Sequence, residues 1–240
     1  ARRRAFATTA APTSRSKKIY STNGRSVTSV RFFFAAAVYD ECGSTAGFVR
    51  GTNAKNTETQ EGFAMRDVVL FIAMSLDGYI ASPDGGIDWL GGESAEASDS
   101  GSYERFIAGV SDIVMGYNTY RQLTTELLPG AWPYDKQKSY VLTHREAETE
   151  AGVALTQEPI EALIARLKAQ PGGEIWLCGG ANVVNQALRA GLIDRFHINV
   201  MPTIRGAGIR LVDALEEPVA LRLISTESYN GIVDLVYGVR

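Results

Sequence analysis

Cysteine and histidine are scarce in this chain: its 240 residues hold two of each, Cys42 and Cys178, His144 and His197. The cysteines stand far apart without C-x-x-C spacing, so neither a zinc site nor a disulfide framework is indicated. Two histidines are too few for a histidine-based metal cluster, and no metal is expected. Long apolar runs are missing as well. The strongest in the first half is FFFAAAV (32–38), well short of the roughly 18 residues of a membrane span, so no membrane partner is expected. Acidic residues are absent before Asp40. A Gly-x-Gly-x-x-Gly fingerprint after the first strand pattern is also lacking, which argues against a Rossmann domain.

What is present is an ordinary soluble composition, 45% hydrophobic and 21% charged. Its charge is unevenly spread. Residues 1–64 carry ten Lys/Arg against four Asp/Glu, whereas residues 65–240 carry fourteen against twenty-three. The opening stretch ARRRAFATTAAPTSRSKK is rich in Arg, Ser, Thr and Ala, a composition resembling an organellar transit peptide. An expression leader or translation from upstream of the true start is the favoured account, because Met65 is followed at once by a strong strand pattern. Residues 43–62 lack periodicity and are rich in Gly, Thr and Asn, as a disordered segment is. Residues 1–64 are therefore read as a disordered basic extension, and 65–240 as one folded domain. Basic tails can bind nucleic acid, but this one has no aromatic–basic interleaving, and no nucleic-acid partner is expected.

From Met65 onward strands and helices alternate. DVVLFIAMS (67–75) is a near-continuous apolar run, the pattern of a strand buried on both faces. SDIVMG (111–116), KSYVLT (138–143), EIWLCG (174–179) and FHINVMP (196–202) repeat it. Helices are expected over 102–110, 158–170 and 181–191. The first carries Tyr103, Phe106, Ile107 and Val110 on one face; the second carries Ile160, Leu163, Ile164 and Leu167 behind Pro159. The third ends on Gly191, a residue suited to terminate a helix. Asn230-Gly231 between two alternating segments signals a tight hairpin. The fold class is α/β: three layers, a mainly parallel central sheet with a C-terminal antiparallel hairpin, and helices on both faces.

In such sheets ligands gather at the carboxyl ends of strands. Three ends here carry chemistry suited to a dinucleotide phosphate: Gly116 with Asn118 and Thr119, Thr143 with His144 and Arg145, and the Gly179-Gly180 pair before Ala181, Asn182 and Val183. Backbone N–H groups at a helix start, a hydroxyl and a guanidinium bind phosphate together. A glycine pair after a strand is also what a tight turn requires.

AMSLDGYIASPDGGIDWL (73–90) is the most specific stretch of the chain. It resembles the opening of the dihydrofolate reductase-like family, nearest the reductase domain of riboflavin biosynthesis and its uncharacterised bacterial relatives. DIVMGYNTY (112–120), GGANVVNQAL (179–188) and LIDRFHINVMPTIRGAGIRL (192–211) extend the resemblance in order across 65–240. The resemblance implies hydride transfer from NADPH to a pterin-like or pyrimidine-like ring. It places Gly116, Asn118, Thr119, Gly179, Gly180, Ala181, Asn182 and Val183 along the cofactor, with Met74. Arg145, with Thr143 and His144, is placed to read the adenosine 2′-phosphate. Trp89 flanks the nicotinamide or belongs to the core. Asp77, Asp88 and Trp89 are the catalytic candidates; Asp84 and Glu93 are further carboxylates in reach of the loop, and Asp77 also suits a turn aspartate. No carboxylate after Trp89 aligns with that of folate-reducing members, and SLDGYIA lacks the basic residue that often follows in the riboflavin-pathway domain. The substrate is thus left open, and a non-catalytic nucleotide-binding protein of the same fold is the alternative. A homodimer and a cytoplasmic location are expected. Cys178 reads as a buried small hydrophobe.

Overall fold

The computed structural model describes residues 65–94 and 101–240; the reading of 1–64 as a basic extension lies outside them. Ten strands and four helices follow in chain order: β1 (Val68–Ser75), β2 (Tyr79–Ala81), α1 (Ser102–Ile107), β3 (Val110–Gly116) and α2 (Tyr117–Gln122). A single π-helical turn, Leu123–Leu127, prolongs α2. Then come β4 (Lys138–Leu142), β5 (Val153–Thr156), α3 (Ile160–Lys168), β6 (Glu174–Gly179) and α4 (Ala181–Arg189). The chain finishes with β7 (Arg195–Met201), β8 (Ile209–Arg210), β9 (Leu221–Tyr229) and β10 (Ile232–Val239).

Eight strands form one sheet in the order β5-β4-β3-β6-β1-β7-β10-β9. The first six run parallel; β10 pairs antiparallel with β7, and β9 antiparallel with β10. This is the expected α/β arrangement, with β1 at its centre because its apolar run tolerates burial on both faces. Even-numbered positions of β1 face one side, where Val68 and Leu70 pack with Leu163, Leu167, Val184 and Ala187 of α3 and α4. Odd positions face the other, where Val69 and Phe71 meet Tyr103 and Phe106 of α1 and Leu123 beyond α2. All four apolar positions expected on the face of α3 are buried.

Three departures from the sequence reading have simple causes. The short strands β2, β5 and β8 escape a pattern search because two to four residues show no period. Val110, counted as the last apolar position of a helix, instead opens β3, and α1 stops at Ile107. The π-turn extends α2 over residues in which no helical period was read. The hairpin is as expected: Asn230 has φ 47° and Gly231 φ 74°, the left-handed pair a type I′ turn demands.

The sheet's carboxyl end is organised by two loops that grip each other. The Asp77 carboxylate accepts the backbone N–H groups of Arg205 (3.0 Å) and Gly206 (2.7 Å) and the hydroxyl of Ser75 (2.7 Å). Arg205 in turn donates to Ser82 Oγ at 2.7 Å, and its guanidinium lies 5.2 Å from the ring centre of Trp89. The loop after β7 thereby holds the loop that runs from β2 toward α1. At the opposite end of the sheet, buried Arg66 pairs with Asp112 and also donates to the carbonyls of Gly173 (2.6 Å) and Leu167 (2.9 Å).

Candidate functional site

A cleft of about 810 Å³ opens where β1, β3 and β6 end and α2 and α4 begin. The two strand-to-helix junctions forming its wall share a feature: each helix starts from a glycine, and no side chain caps it. A helix leaves its first N–H groups without intrahelical partners. Here those of Ala181, Asn182 and Val183, which line the cleft, stand in that position at the start of α4.

The glycines are there for two reasons. Gly179 and Gly180 have φ values of 143° and 83°, backbone conformations that L side chains rarely adopt. Space is the reason at Gly116, where a Cβ would come within 3.2 Å of Val183 Cγ2; one on Gly180 would meet Thr119 Oγ1 at 3.5 Å and the Cα of Gly116 at 3.7 Å, ordinary contact distances, so backbone conformation decides there. The two junctions are bare backbone facing bare backbone. A cradle of this kind fits the pyrophosphate of a dinucleotide, which needs close approach and N–H donors.

Arg145 lies at the rim, its guanidinium 5.0 Å from the centre of the Tyr117 ring. Its backbone N–H donates to Thr143 Oγ1 at 3.0 Å, which shapes the turn after β4 and sets the side chain over the cleft. Arg121 adds a second cation to the lining, and Asp84 and Glu126 supply its carboxylates. Asp84 accepts the N–H of Gly86 at 3.0 Å, and Gln122 donates to the Gly85 carbonyl at 3.0 Å, so α2 carries the loop that forms the floor. Cys178 also borders the cleft; burial pushes its thiol up to about 12, so it remains neutral at physiological pH.

The structure thus brings together Gly116, Asn118, Thr119, Arg145, Gly179, Gly180, Ala181, Asn182 and Val183. Seven of the expected residues are not part of the lining. Met74 points to the opposite face of β1 from Ala73 and packs into the α3–α4 core. Thr143 is occupied with the amide of Arg145, and exposed His144 stands 3.4 Å from Gln157. Asp77 is a bracket between two loops, its acid held down to about 2 by the Arg205 amide and the Ser75 hydroxyl. Asp88 is exposed. Trp89 packs beneath the floor on the cluster of Ala73, Ile87, Leu90, Met201 and Ile232. Glu93 is exposed too, its amide bonded to the Asn230 carbonyl at the hairpin tip. Sequence reasoning missed Tyr117, Arg121 and Gln122, which line the cleft; α2 presents them because they follow the phosphate-type glycine at helical spacing.

Residues 66–236 match the family described as RibD C-terminal domain. The chain belongs to this family. Among its relatives is the uncharacterized protein YwjB of Bacillus subtilis (strain 168), 36% identical over 173 residues, spanning 72% of this chain and 97% of that one. A solved structure from Shewanella sp. PV-4, named for riboflavin biosynthesis, superposes with a TM-score of 0.64 at 28% identity, covering 72% of this chain and 99% of that one. RibD of Acinetobacter baumannii superposes at 0.57 with 18% identity, over 73% of this chain and 58% of the longer RibD chain. Family membership and these superpositions establish the dihydrofolate reductase-like fold of the riboflavin-pathway reductase domains. Among the described residues no helix is long and apolar enough to cross a membrane.

Proposed function

We propose that this protein is an NADPH-dependent reductase acting on a pterin-like or pyrimidine-like heterocycle. The observation that carries this reading is the paired glycine cradle, where Gly116 and Gly180 present backbone to backbone beside two uncapped helix starts. When bound, NADPH supplies the hydride. The chain's own part is to hold the cofactor's pyrophosphate on the amides of Ala181, Asn182 and Val183 and to meet its 2′-phosphate with Arg145. Arginine suits that role because its planar fork pairs two phosphate oxygens at once.

Hydride addition to a C=N bond leaves charge on nitrogen, so a proton must follow. Asp84 and Glu126 are the carboxylates of the lining and the candidates to hold it; Asp77 and Asp88 are not. The apolar walls, including Phe71, Ile87 and Leu90, exclude water from the reacting rings.

A cytoplasmic location and a homodimer are proposed with this reading. Support for the dimer comes from the sheet edge, where Leu223 and Ile224 of β9 are about half exposed. Unpaired strand edges bearing apolar side chains are disposed to associate.

The test is a titration of the full chain with NADPH and, separately, NADH, following nicotinamide fluorescence. The expected result is NADPH binding that weakens roughly tenfold or more in Arg145→Ala, the size of a lost charge-assisted bond, with NADH little changed. Binding of neither nucleotide would sink the reading. Tight NADPH binding without turnover of any pteridine or pyrimidine would move the protein to the non-catalytic alternative.

A further inference from the structure

The cleft reaches over Ala73 of β1, and the neighbours of Ala73 on that face of the sheet are polar. Asn199 is its register partner on β7, and Asp234 is the register partner of Asn199 on β10. Adjacent strands lie about 4.8 Å apart and successive side chains alternate between the two faces, so Asn199 stands one strand from the cleft floor. Ala73 contributes only a methyl group between them. Asn199 is 0% exposed, and neither its Oδ1 nor its Nδ2 has a hydrogen-bond partner among the described residues. Trp89, packed on the cluster of Ala73, Met201 and Ile232, has a buried indole N–H in the same condition.

A buried amide left unpaired is destabilising, because it has given up its bonds to water and gained none. Asp234 does not relieve it: its Oδ2 accepts the Ser102 hydroxyl, and its Oδ1, 2.7 Å from His197 Nε2, has no hydrogen-bond partner of its own among the described residues and makes no bond to Asn199. These three residues are no hydrolytic triad, because Ser102 (3.2 Å) and Asp234 approach the same imidazole nitrogen, whereas a triad uses both. They tie α1 to β7 and β10, and Asn199 is left over.

We propose that Asn199 is a specificity-determining residue, which reads an amide edge, adjacent N–H and C=O, on the heterocycle entering over Ala73. The inference rests on the reductase reading of the cleft. A primary amide sets an acceptor beside a donor, so a lactam edge satisfies both orphaned atoms at once. A ring without that edge leaves the amide buried and unpaired, and discrimination comes from this penalty.

Lumazine, whose N1 and N3 carry protons, and 1,3-dimethyllumazine, in which both are methylated, form the probe pair. Each is titrated calorimetrically into the full chain saturated with NADP⁺, whose own binding is measured first. Wild type is expected to bind lumazine roughly 10- to 100-fold more tightly than the dimethyl compound. Asn199→Leu is expected to lose that preference, bind NADP⁺ as wild type does, and melt no lower, since it removes two unsatisfied atoms. A retained preference in Asn199→Leu overturns the proposal. So does a chain that takes NADP⁺ but neither pteridine. A melting temperature lowered by several degrees in that variant also overturns it, because the amide is then held from within. Failure to bind NADP⁺ removes the reductase reading itself and the inference with it, a result seen before either pteridine is added.

Discussion

The carboxylate of Asp77 and the backbone amide of Arg205 meet at 3.0 Å across 128 residues of sequence. This bond and its neighbour at Gly206 join the turn after β1 to the loop after β7. The second of these loops also holds Ser82 through Arg205, next to the lining residues Pro83, Asp84 and Gly85, so Asp77 supports the site without entering it. Its acid is lowered to about 2 from an ordinary 3.8. A carboxyl with a depressed folded-state pKa stabilises the fold above its unfolded value, and that contribution is lost as pH falls toward the folded one. Asp77→Asn is therefore expected to melt below wild type from neutral pH down to about pH 4. The difference should shrink between about 4 and 2, as thermal melts across that range will show.

The cradle glycines should respond differently to the same methyl group. Gly116 has φ −83° and ψ 158°, a backbone any residue adopts, whereas Gly180 has φ 83°. Gly180→Ala is expected to cost about 1–2 kcal/mol in urea unfolding through left-handed strain. Gly116→Ala should fold with little loss, pressing on Val183, yet bind NADPH more weakly because its methyl group occupies the cradle. Equal NADPH affinity in Gly116→Ala and wild type would show that the cofactor does not use this junction.

Arg66 and Asp112 predict a change in stability without a change in binding. Both are buried, far from the cleft, and Arg66 also satisfies two backbone carbonyls. Arg66→Met leaves a buried carboxylate without its cation and is expected to cost about 3–5 kcal/mol. Chemical denaturation should report that loss, while NADPH affinity at low temperature should match wild type.

The β9 edge is tested by mass in solution. If the apolar residues of this edge mediate a homodimer, Leu223→Glu should convert it to a monomer under light scattering without lowering NADPH affinity. A wild-type chain that runs as a monomer at micromolar concentration would remove the proposal.

Much of the cleft's lining was legible in the sequence. Gly116, Thr119, Arg145 and the Gly179–Val183 stretch follow strands directly, and in a parallel sheet every strand end of this kind points the same way. The roles of the loop residues were far less legible. Asp77 in the turn after β1 and Asp88 and Trp89 in the loop after β2 attract attention as chemistry-bearing residues, yet where the Asp77 and Trp89 side chains lie depends on contacts with Arg205 and Met201, more than a hundred residues away. Tyr117, Arg121 and Gln122 were hidden for the opposite reason, since nothing in a six-residue helix marks which positions border a cavity.

The sequence by itself determined the longer elements and their order. Apolar runs of strand length, glycine at strand ends and an Asn-Gly hairpin are local signals, written within ten residues and read by local sterics and solvent. Only the tertiary structure decided which residues are neighbours across strands. The placement of Asn199 between Ala73 and Asp234 follows from register, and register is set by burying whole faces of a sheet at once. No short window of the chain carries that information.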